Sequence, residues 1–115
     1  MGEPYLTSID VEGWSIDDGE AAHLESPETY WIPPLSKRQS LEPGALAKLR
    51  FYIRAPDESG KSVDHGERMW VQVVEKKGNW YFGKLDNDPY CTDEICAGLE
   101  LWFQPRHVID IYDTE

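Results

Sequence analysis

Apolar and polar residues alternate along several short segments in the second half of the chain. In residues 46–54, Leu49, Phe51 and Ile53 fall on one side of an extended chain, with mostly charged residues on the other. This period of two indicates a half-buried strand. Similar patterns predict further strands at 68–75, 80–85, 99–103 and 108–112. Strands this short must curl or stack to bury their apolar faces.

Turn-forming residues separate these segments. Residues 76–79 predict a hairpin turn in which Gly78 takes the left-handed conformation. The polar residues 55–66 are expected to form a flexible loop, and the proline at the start of residues 105–107 predicts a tight 3₁₀ turn before the last strand. A strand, a proline, a tight turn and a short final strand are typical of the end of an SH3-like barrel.

The first part of the chain has a weaker pattern. Residues 17–25 predict one or two helical turns, with Asp17 as a candidate N-cap. Pro27, Pro33 and Pro34 then favour an extended path around Tyr30 and Trp31. No repeat of 20 residues or more is visible in the sequence.

These elements together predict a mainly β fold, with α+β as the alternative. We expect a small SH3-like or related curled antiparallel sheet or barrel of about five strands, preceded by an irregular, partly helical N-terminal segment. A chain of 115 residues is most simply a single domain, 1–115. Within it, 1–36 form an acidic N-terminal segment and 37–115 a β-rich body.

The formal charge of −11 is unevenly distributed. Residues 1–36 contain eight acidic residues and neither Lys nor Arg, which leaves −3 for residues 37–115. A locally basic stretch follows at once: Lys37, Arg38, Lys48, Arg50 and Arg54. The two regions could fold against each other, or the acidic segment could attract a basic partner. Nucleic acid is disfavoured as a partner because its phosphates repel this net charge.

The chain has two cysteines, Cys91 and Cys96, at a spacing that matches neither a redox motif nor a standard zinc site. We expect free thiols in a reducing compartment. The sequence has no long apolar run and no signal-like segment at its start. These features predict a cytoplasmic protein without a membrane partner.

Three runs of residues resemble a known family. They read E-x-M-W-V-x-V at 67–73, G-x-L-x-N-x-P-Y at 83–90 and G-x-x-L-x-F-x-x-x-x-V-x-D at 98–110. Together with residues 27–33 and 44–51, they resemble the bacterial domain-of-unknown-function family 2314. The chain departs from that pattern at Arg68, where the family has His, and in the loop between the cysteines. The resemblance implies a small bacterial protein and carries over no catalytic residue.

Three aromatic residues are predicted to point away from the core. If the apolar faces of the strands line the core, then Tyr52, Trp70 and Trp102 lie on the opposite side of the sheet. One interpretation is that the N-terminal segment covers them, with Tyr30 and Trp31 as the covering residues and acids meeting Arg50 and Arg54. The other is that part of this face stays open as an aromatic groove for a peptide or protein.

The sequence gives little support for catalysis. His65 follows Asp64 in the predicted loop and His107 lies in the predicted tight turn, and both are interpreted as inert or structural. Cys91 has acidic residues nearby and no basic neighbour in sequence, which disfavours a reactive thiolate. Phosphate-binding, dinucleotide-binding and hydrolase motifs are absent from the sequence. We expect no catalytic residue, no cofactor and no metal.

Our first hypothesis is therefore a non-catalytic protein-binding or regulatory module, acting as a monomer or a weak homodimer on an unknown protein or peptide. Its candidate binding residues are Tyr52, Trp70 and Trp102, or the turn Asn87, Asp88, Pro89 and Tyr90. The alternative is an acidic inhibitor, such as an immunity-type protein that neutralises a basic partner. An enzyme using His65 or His107 is a minor alternative.

Overall fold

A computed structural model describes residues 2–112, which form one antiparallel sheet of six strands curled into a half-barrel. The strands are β1 (Trp14–Ile16), β2 (Leu46–Pro56), β3 (Ser62–Lys77), β4 (Trp80–Leu85), β5 (Glu100–Phe103) and β6 (Asp110–Ile111). They follow the order β1-β2-β3-β4-β5, and β6 pairs with the start of β2. The predicted mainly β, curled antiparallel fold is confirmed.

Short helical segments connect and precede the strands. They are α1 (Ile9–Glu12), α2 (Gly19–Glu25), α3 (Leu35–Arg38) and a 3₁₀ turn at Pro105–His107. Helix α2 confirms the helix expected at 17–25, but its N-cap is Asp18 and not Asp17. Asp18 Oδ1 accepts a hydrogen bond from the Ala21 backbone N–H at 3.1 Å, which satisfies one unpaired donor of the first turn.

The core lies on the concave side of the sheet. Buried apolar side chains from all the long strands meet there, including Leu49, Phe51 and Ile53 of β2 and Phe103 of β5. Alternation along β2 is complete, with buried residues at every second position from 47 to 55. The period-two pattern of the sequence therefore identified the core face of this strand correctly.

The predicted loop at 55–66 is wrong over most of its length. Ser62–Lys77 is one continuous strand, and residues 62–66 pair with the second half of β2 in unbroken register. The connection shrinks to a tight turn around Asp57, whose Oδ1 accepts hydrogen bonds from the Ser59 and Lys61 backbone N–H groups. Such an Asx turn can close the hairpin although residues 62–66 are mostly polar.

Within residues 2–112, every helix falls short of the length and apolarity that crossing a lipid bilayer requires.

Candidate binding surface

The first two long strands carry a set of charged and aromatic side chains on the side of the sheet that faces away from the core. This outer β2–β3 face consists of Lys48, Arg50 and Tyr52 on β2 with Arg68 and Trp70 on β3. In the antiparallel register Lys48 lies opposite Trp70 and Arg50 lies opposite Arg68. Residues opposite each other on one face are close enough to interact, so these side chains form one continuous patch.

Each cation of the outer β2–β3 face lies against an aromatic ring. The pairs are Lys48 Nζ with Trp70 at 4.8 Å, Arg50 Cζ with Tyr52 at 5.2 Å and Arg68 Cζ with Tyr30 at 5.5 Å, measured to the ring centroid. Contacts of this kind are worth about 0.5–1 kcal/mol when exposed. They hold the cations in place without neutralising their charge.

The same three cations have no acidic partner in the part of the chain that the structure describes. Among residues 2–112, the ion pairs within 4.0 Å use Arg38, Arg54 and Arg106. Two arginines face each other at the Arg50–Arg68 register pair, where like charges directly opposite are destabilising. Carboxylates lie nearby without forming an ion pair within 4.0 Å among residues 2–112: Asp110 is opposite Lys48 in the β2–β6 ladder, and Asp17 lines a cavity with Arg50.

Tyr30 divides the space above this face into two cavities. One, of about 250 Å³, is lined by residues that include Lys48, Arg68 and Asp110. The other, of about 360 Å³, is lined by residues that include Asp17, Arg50 and Tyr52. Tyr30 belongs to both linings and therefore lies between them.

The segment that carries Tyr30 is fixed to helix α2. His23 Nδ1 donates a hydrogen bond of 2.6 Å to the Tyr30 carbonyl oxygen. The Tyr30 hydroxyl is buried without a hydrogen-bond partner among residues 2–112. The pKa of Tyr30 is raised above its ordinary value, mainly by burial and secondly by the nearby Asp17 carboxylate. Its neighbour Trp31 is 66% exposed.

Trp70 is held from three sides. Its backbone N–H donates to Asn87 Oδ1 at 2.6 Å, and its ring forms a T-shaped pair with Tyr112 at a centroid distance of 5.7 Å. Lys48 lies over the ring. Trp70 stays half-buried, so its position is fixed while part of its surface remains available.

The structure answers in part the question of whether the N-terminal segment covers the outward aromatics. Tyr30 contacts Arg68 and lines a cavity together with Tyr52, whereas Trp31 is mostly exposed. Arg54 does meet acids, Asp10 and Asp64 at 2.8 Å each, whereas Arg50 does not.

Trp102 is separated from the other predicted aromatics. It packs against Phe82 at a ring distance of 5.0 Å and is only 6% exposed. The cavity beside it is lined by Tyr5 and Thr7 of the N-terminal segment. Trp102 is thus already covered by the chain itself, and we leave it out of the candidate surface.

The candidate turn at 87–90 is largely occupied by its own loop. Asn87 holds the Trp70 backbone, Asp88 Oδ1 accepts from the Ala97 N–H at 2.8 Å, and Pro89 is buried. Tyr90 is the exception, since its side chain is fully exposed. Three of the four residues therefore stabilise the loop, and only Tyr90 remains free to meet a partner.

Glu67 anchors the loop that contains the two cysteines. Its carboxylate accepts hydrogen bonds from the Tyr90 and Cys91 backbone N–H groups at 2.9 and 3.0 Å. Burial raises the pKa of Glu67, but these hydrogen bonds outweigh burial and the pKa is lowered. Cys91 and Cys96 are free thiols. Burial and the Glu67 carboxylate raise the pKa of Cys91 to about 11, so the acid responsible is Glu67 and not a sequence neighbour.

The two histidines considered for catalysis lie in structural positions. His65 Nε2 is 3.2 Å from the Ala55 carbonyl oxygen within the β2–β3 ladder, and the preceding Asp64 pairs with Arg54 instead. His107 is 1% exposed, and its Nδ1 accepts the Gln104 backbone N–H at 2.9 Å. His107 therefore caps the 3₁₀ turn as a neutral imidazole.

The buried His107 predicts that acid destabilises the protein. Burial, with Arg106 nearby, lowers the pKa of His107 to about 4 from an ordinary value of 6.5. Between these values the unfolded chain takes up a proton that the folded chain excludes, so stability falls as pH falls. We expect a loss of about 2 kcal/mol in the free energy of unfolding between pH 6.5 and 5.

Urea unfolding of the wild type and His107→Asn across this range measures the effect. An Asn side-chain oxygen can accept the Gln104 N–H but does not titrate, so the variant should lose most of this slope. The matched variant His65→Asn should keep it. Equal slopes in the wild type and His107→Asn would show that another group is responsible.

No family model, curated protein or solved structure was found to match this chain. The resemblance to family 2314 therefore stays a prediction.

Proposed function

We propose that the protein is a non-catalytic binding or regulatory module whose partner, a protein or peptide, docks on the outer β2–β3 face. One observation carries this proposal. Three cations lie on aromatic rings beside two cavities and have no acidic partner among residues 2–112. Aromatic and arginine side chains of this kind are the residues most often responsible for binding energy at protein interfaces.

Two further features support the choice of this face. Trp31 at its edge and Tyr112 beside Trp70 are both exposed by more than half, which extends the apolar area available to a partner. The strands beneath are the longest in the sheet, so the surface is rigid before binding. A preorganised surface loses little conformational entropy when a partner docks.

Replacing Trp70 by alanine is expected to weaken partner binding by about 30-fold or more, the loss typical of an aromatic hot spot. Partners would be captured from the native cell with the full chain, and the affinity of each identified partner would then be measured. Tyr90→Ala is the matched control, because Tyr90 is fully exposed but lies in the cysteine loop.

The two variants separate the two surfaces that the sequence suggested. Binding that survives Trp70→Ala but is lost with Tyr90→Ala would move the interface to the 87–90 turn. Circular dichroism spectra of both variants must match the wild type, since Trp70 also packs against Tyr112.

An acidic inhibitor of a basic partner is a second candidate. The acidic N-terminal segment still carries exposed carboxylates such as Glu3, Glu25 and Glu28. Three other acids of this segment are paired within the chain, Asp10 with Arg54, Asp18 with Arg106 and Glu20 with Arg38. Because part of the acidic charge serves folding, we place the inhibitor second. Tight binding to a basic toxin, with an on-rate that falls steeply with salt, would reverse this order.

A further inference from the structure

We infer that the partner presents an acidic, carboxylate-bearing segment to the outer β2–β3 face. This inference rests on the proposed function and names the chemistry of the partner. It starts from an imbalance: the chain is strongly acidic, yet three of its cations are gathered on one face without an acid within 4.0 Å among residues 2–112.

The arrangement of Arg50 and Arg68 suits carboxylates better than a diffuse anion. The two guanidinium groups extend from directly opposite positions of adjacent strands, and each lies against a tyrosine ring. A guanidinium stacked on a ring keeps its in-plane N–H donors free, and these match a carboxylate in a bidentate hydrogen-bonded pair. A carboxylate bound to either guanidinium would also reduce the repulsion between the two arginines.

Gly66 makes room for this arrangement. It lies opposite Tyr52 in the ladder, and an added Cβ would come within 3.0 Å of Arg50 Nη2. The Arg50 side chain therefore passes directly over the backbone of β3. A side chain at position 66 would displace the guanidinium from its place beside Tyr52.

The aromatic residues beside the arginine pair indicate which other side chains the partner's segment has. Lys48 and Trp70 continue the patch on one side of the arginine pair, and Trp31 lies exposed beyond them. The cavity shared by Lys48, Arg68 and Trp31 has a volume of about 250 Å³. We therefore expect one aromatic or large apolar side chain next to the acidic residues.

Arg54 provides a matched control within the same strand. It has the same outward orientation as Arg50, but it is already paired with Asp10 and Asp64 at 2.8 Å. A partner's carboxylate would have to displace these acids to bind it. Arg54 should therefore contribute little, although it carries the same charge as Arg50.

The test selects from a random library of 12-residue peptides displayed on phage, with the full chain as bait. We expect enrichment of sequences that combine Asp or Glu with an aromatic residue. The best peptide would then be synthesised in two forms, one acidic and one with each Asp and Glu replaced by Asn and Gln. Affinity would be measured by Trp fluorescence or calorimetry.

Arg50→Gln and Arg68→Gln are each expected to weaken binding of the acidic peptide by about tenfold or more, as loss of a charge-assisted pair does. Arg54→Gln should stay within about twofold, and the amide peptide should lose about as much as the arginine variants. Equal losses for Arg54→Gln and Arg50→Gln would overturn the inference, since they would indicate an effect of net charge alone.

Other outcomes separate this inference from the proposed function. Neutral or basic peptides that bind through Trp70 would overturn the acidic partner and leave the binding module intact. No enrichment over a selection without bait would overturn the claim of segment binding. Arg50-dependent binding of a single-stranded oligonucleotide in preference to the acidic peptide would assign the face to phosphates and overturn it as well.

Discussion

Replacing Arg38 by methionine is expected to lower the free energy of unfolding by about 3–5 kcal/mol, the usual cost of removing one partner from a buried, hydrogen-bonded charge. Arg38 is 5% exposed. Its Nε donates to the Pro33 carbonyl oxygen at 2.8 Å, and its Nη1 donates to the Pro105 carbonyl oxygen at 3.0 Å and to Glu20 Oε2 at 2.6 Å. Methionine can fill the apolar part of this space but provides no donor for the three acceptors, and the Pro105 carbonyl oxygen then keeps its hydrogen bond from the Val108 backbone N–H.

Urea unfolding measures the change, with the slope checked to be the same in both proteins. Lys37→Met is the matched control, because Lys37 is the exposed neighbour on α3, and it should change stability by less than about 0.5 kcal/mol. Glu20→Gln should cost less than about 1 kcal/mol, since the Glu20 side chain is 41% exposed and water screens the pair. A loss below about 1 kcal/mol for Arg38→Met would contradict the prediction.

Arg38 matters for the proposed interface as well as for stability. It joins α2, the residues that follow Tyr30, and the 3₁₀ turn at Pro105–His107. The backbone of Arg38 is itself held by Tyr81, whose Oη donates a hydrogen bond to the Arg38 carbonyl oxygen at 2.8 Å. The segment that carries Tyr30 is thus held by Arg38 at Pro33, three residues after Tyr30. Arg38→Met should therefore also weaken partner binding.

The sequence predicted those parts of the fold that a single local sequence pattern determines. Alternation identified β2 because every second residue is buried against the core. Gly78, at φ 60, identified the turn between β3 and β4 because few other residues adopt that conformation. Helix α2 could be located within two residues from its acidic start and the proline that follows it.

The parts that the sequence missed depend on contacts between distant residues. Residues 62–66 read as a loop because they are polar, yet each of them has a paired residue opposite it on β2. Strand β1 is only three residues long and pairs with β2 at Phe51–Ile53, across a separation of more than 30 positions. Arg38 read only as part of a basic stretch, because one of the carbonyl oxygens that hold it, that of Pro105, is 67 positions away in sequence.

The outer β2–β3 face was predicted only in part, because it too depends on contacts between residues distant in sequence. Strand parity correctly placed Tyr52 and Trp70 on the outer side, but it could not show that the N-terminal segment buries Trp102. Alternation also placed Lys48 and Arg50 on the same side of β2 as Tyr52, but their contacts emerged only from the structure. Lys48 and Arg50 belonged to a basic stretch in sequence, and their lack of acidic partners among residues 2–112 depends on where the N-terminal acids fold.

Replacing Gly83 by alanine is expected to destabilise the protein by about 3 kcal/mol, at the upper end of the range for overpacking a tight core. Gly83 is buried in the middle of β4, between Val73 of β3 and Leu101 of β5. A Cβ there would lie 2.7 Å from the Gln72 carbonyl oxygen and 2.7 Å from Val71 Cγ1. The carbonyl belongs to the strand backbone, so relief requires β3 and β4 to separate at the centre of the sheet.

Gly66→Ala is the matched control, because it makes the same chemical change in a strand of the same sheet. The nearest atoms to its added Cβ belong to the tip of the Arg50 side chain, which can move. The gain of up to about 1 kcal/mol from restricting the unfolded chain should offset that movement, so stability should stay nearly unchanged. The urea midpoints of the two variants measure how much stability each one loses. Equal loss in both would mean that the cost arises from replacing glycine in a strand and not from the close approach of β3 to β4 at Gly83.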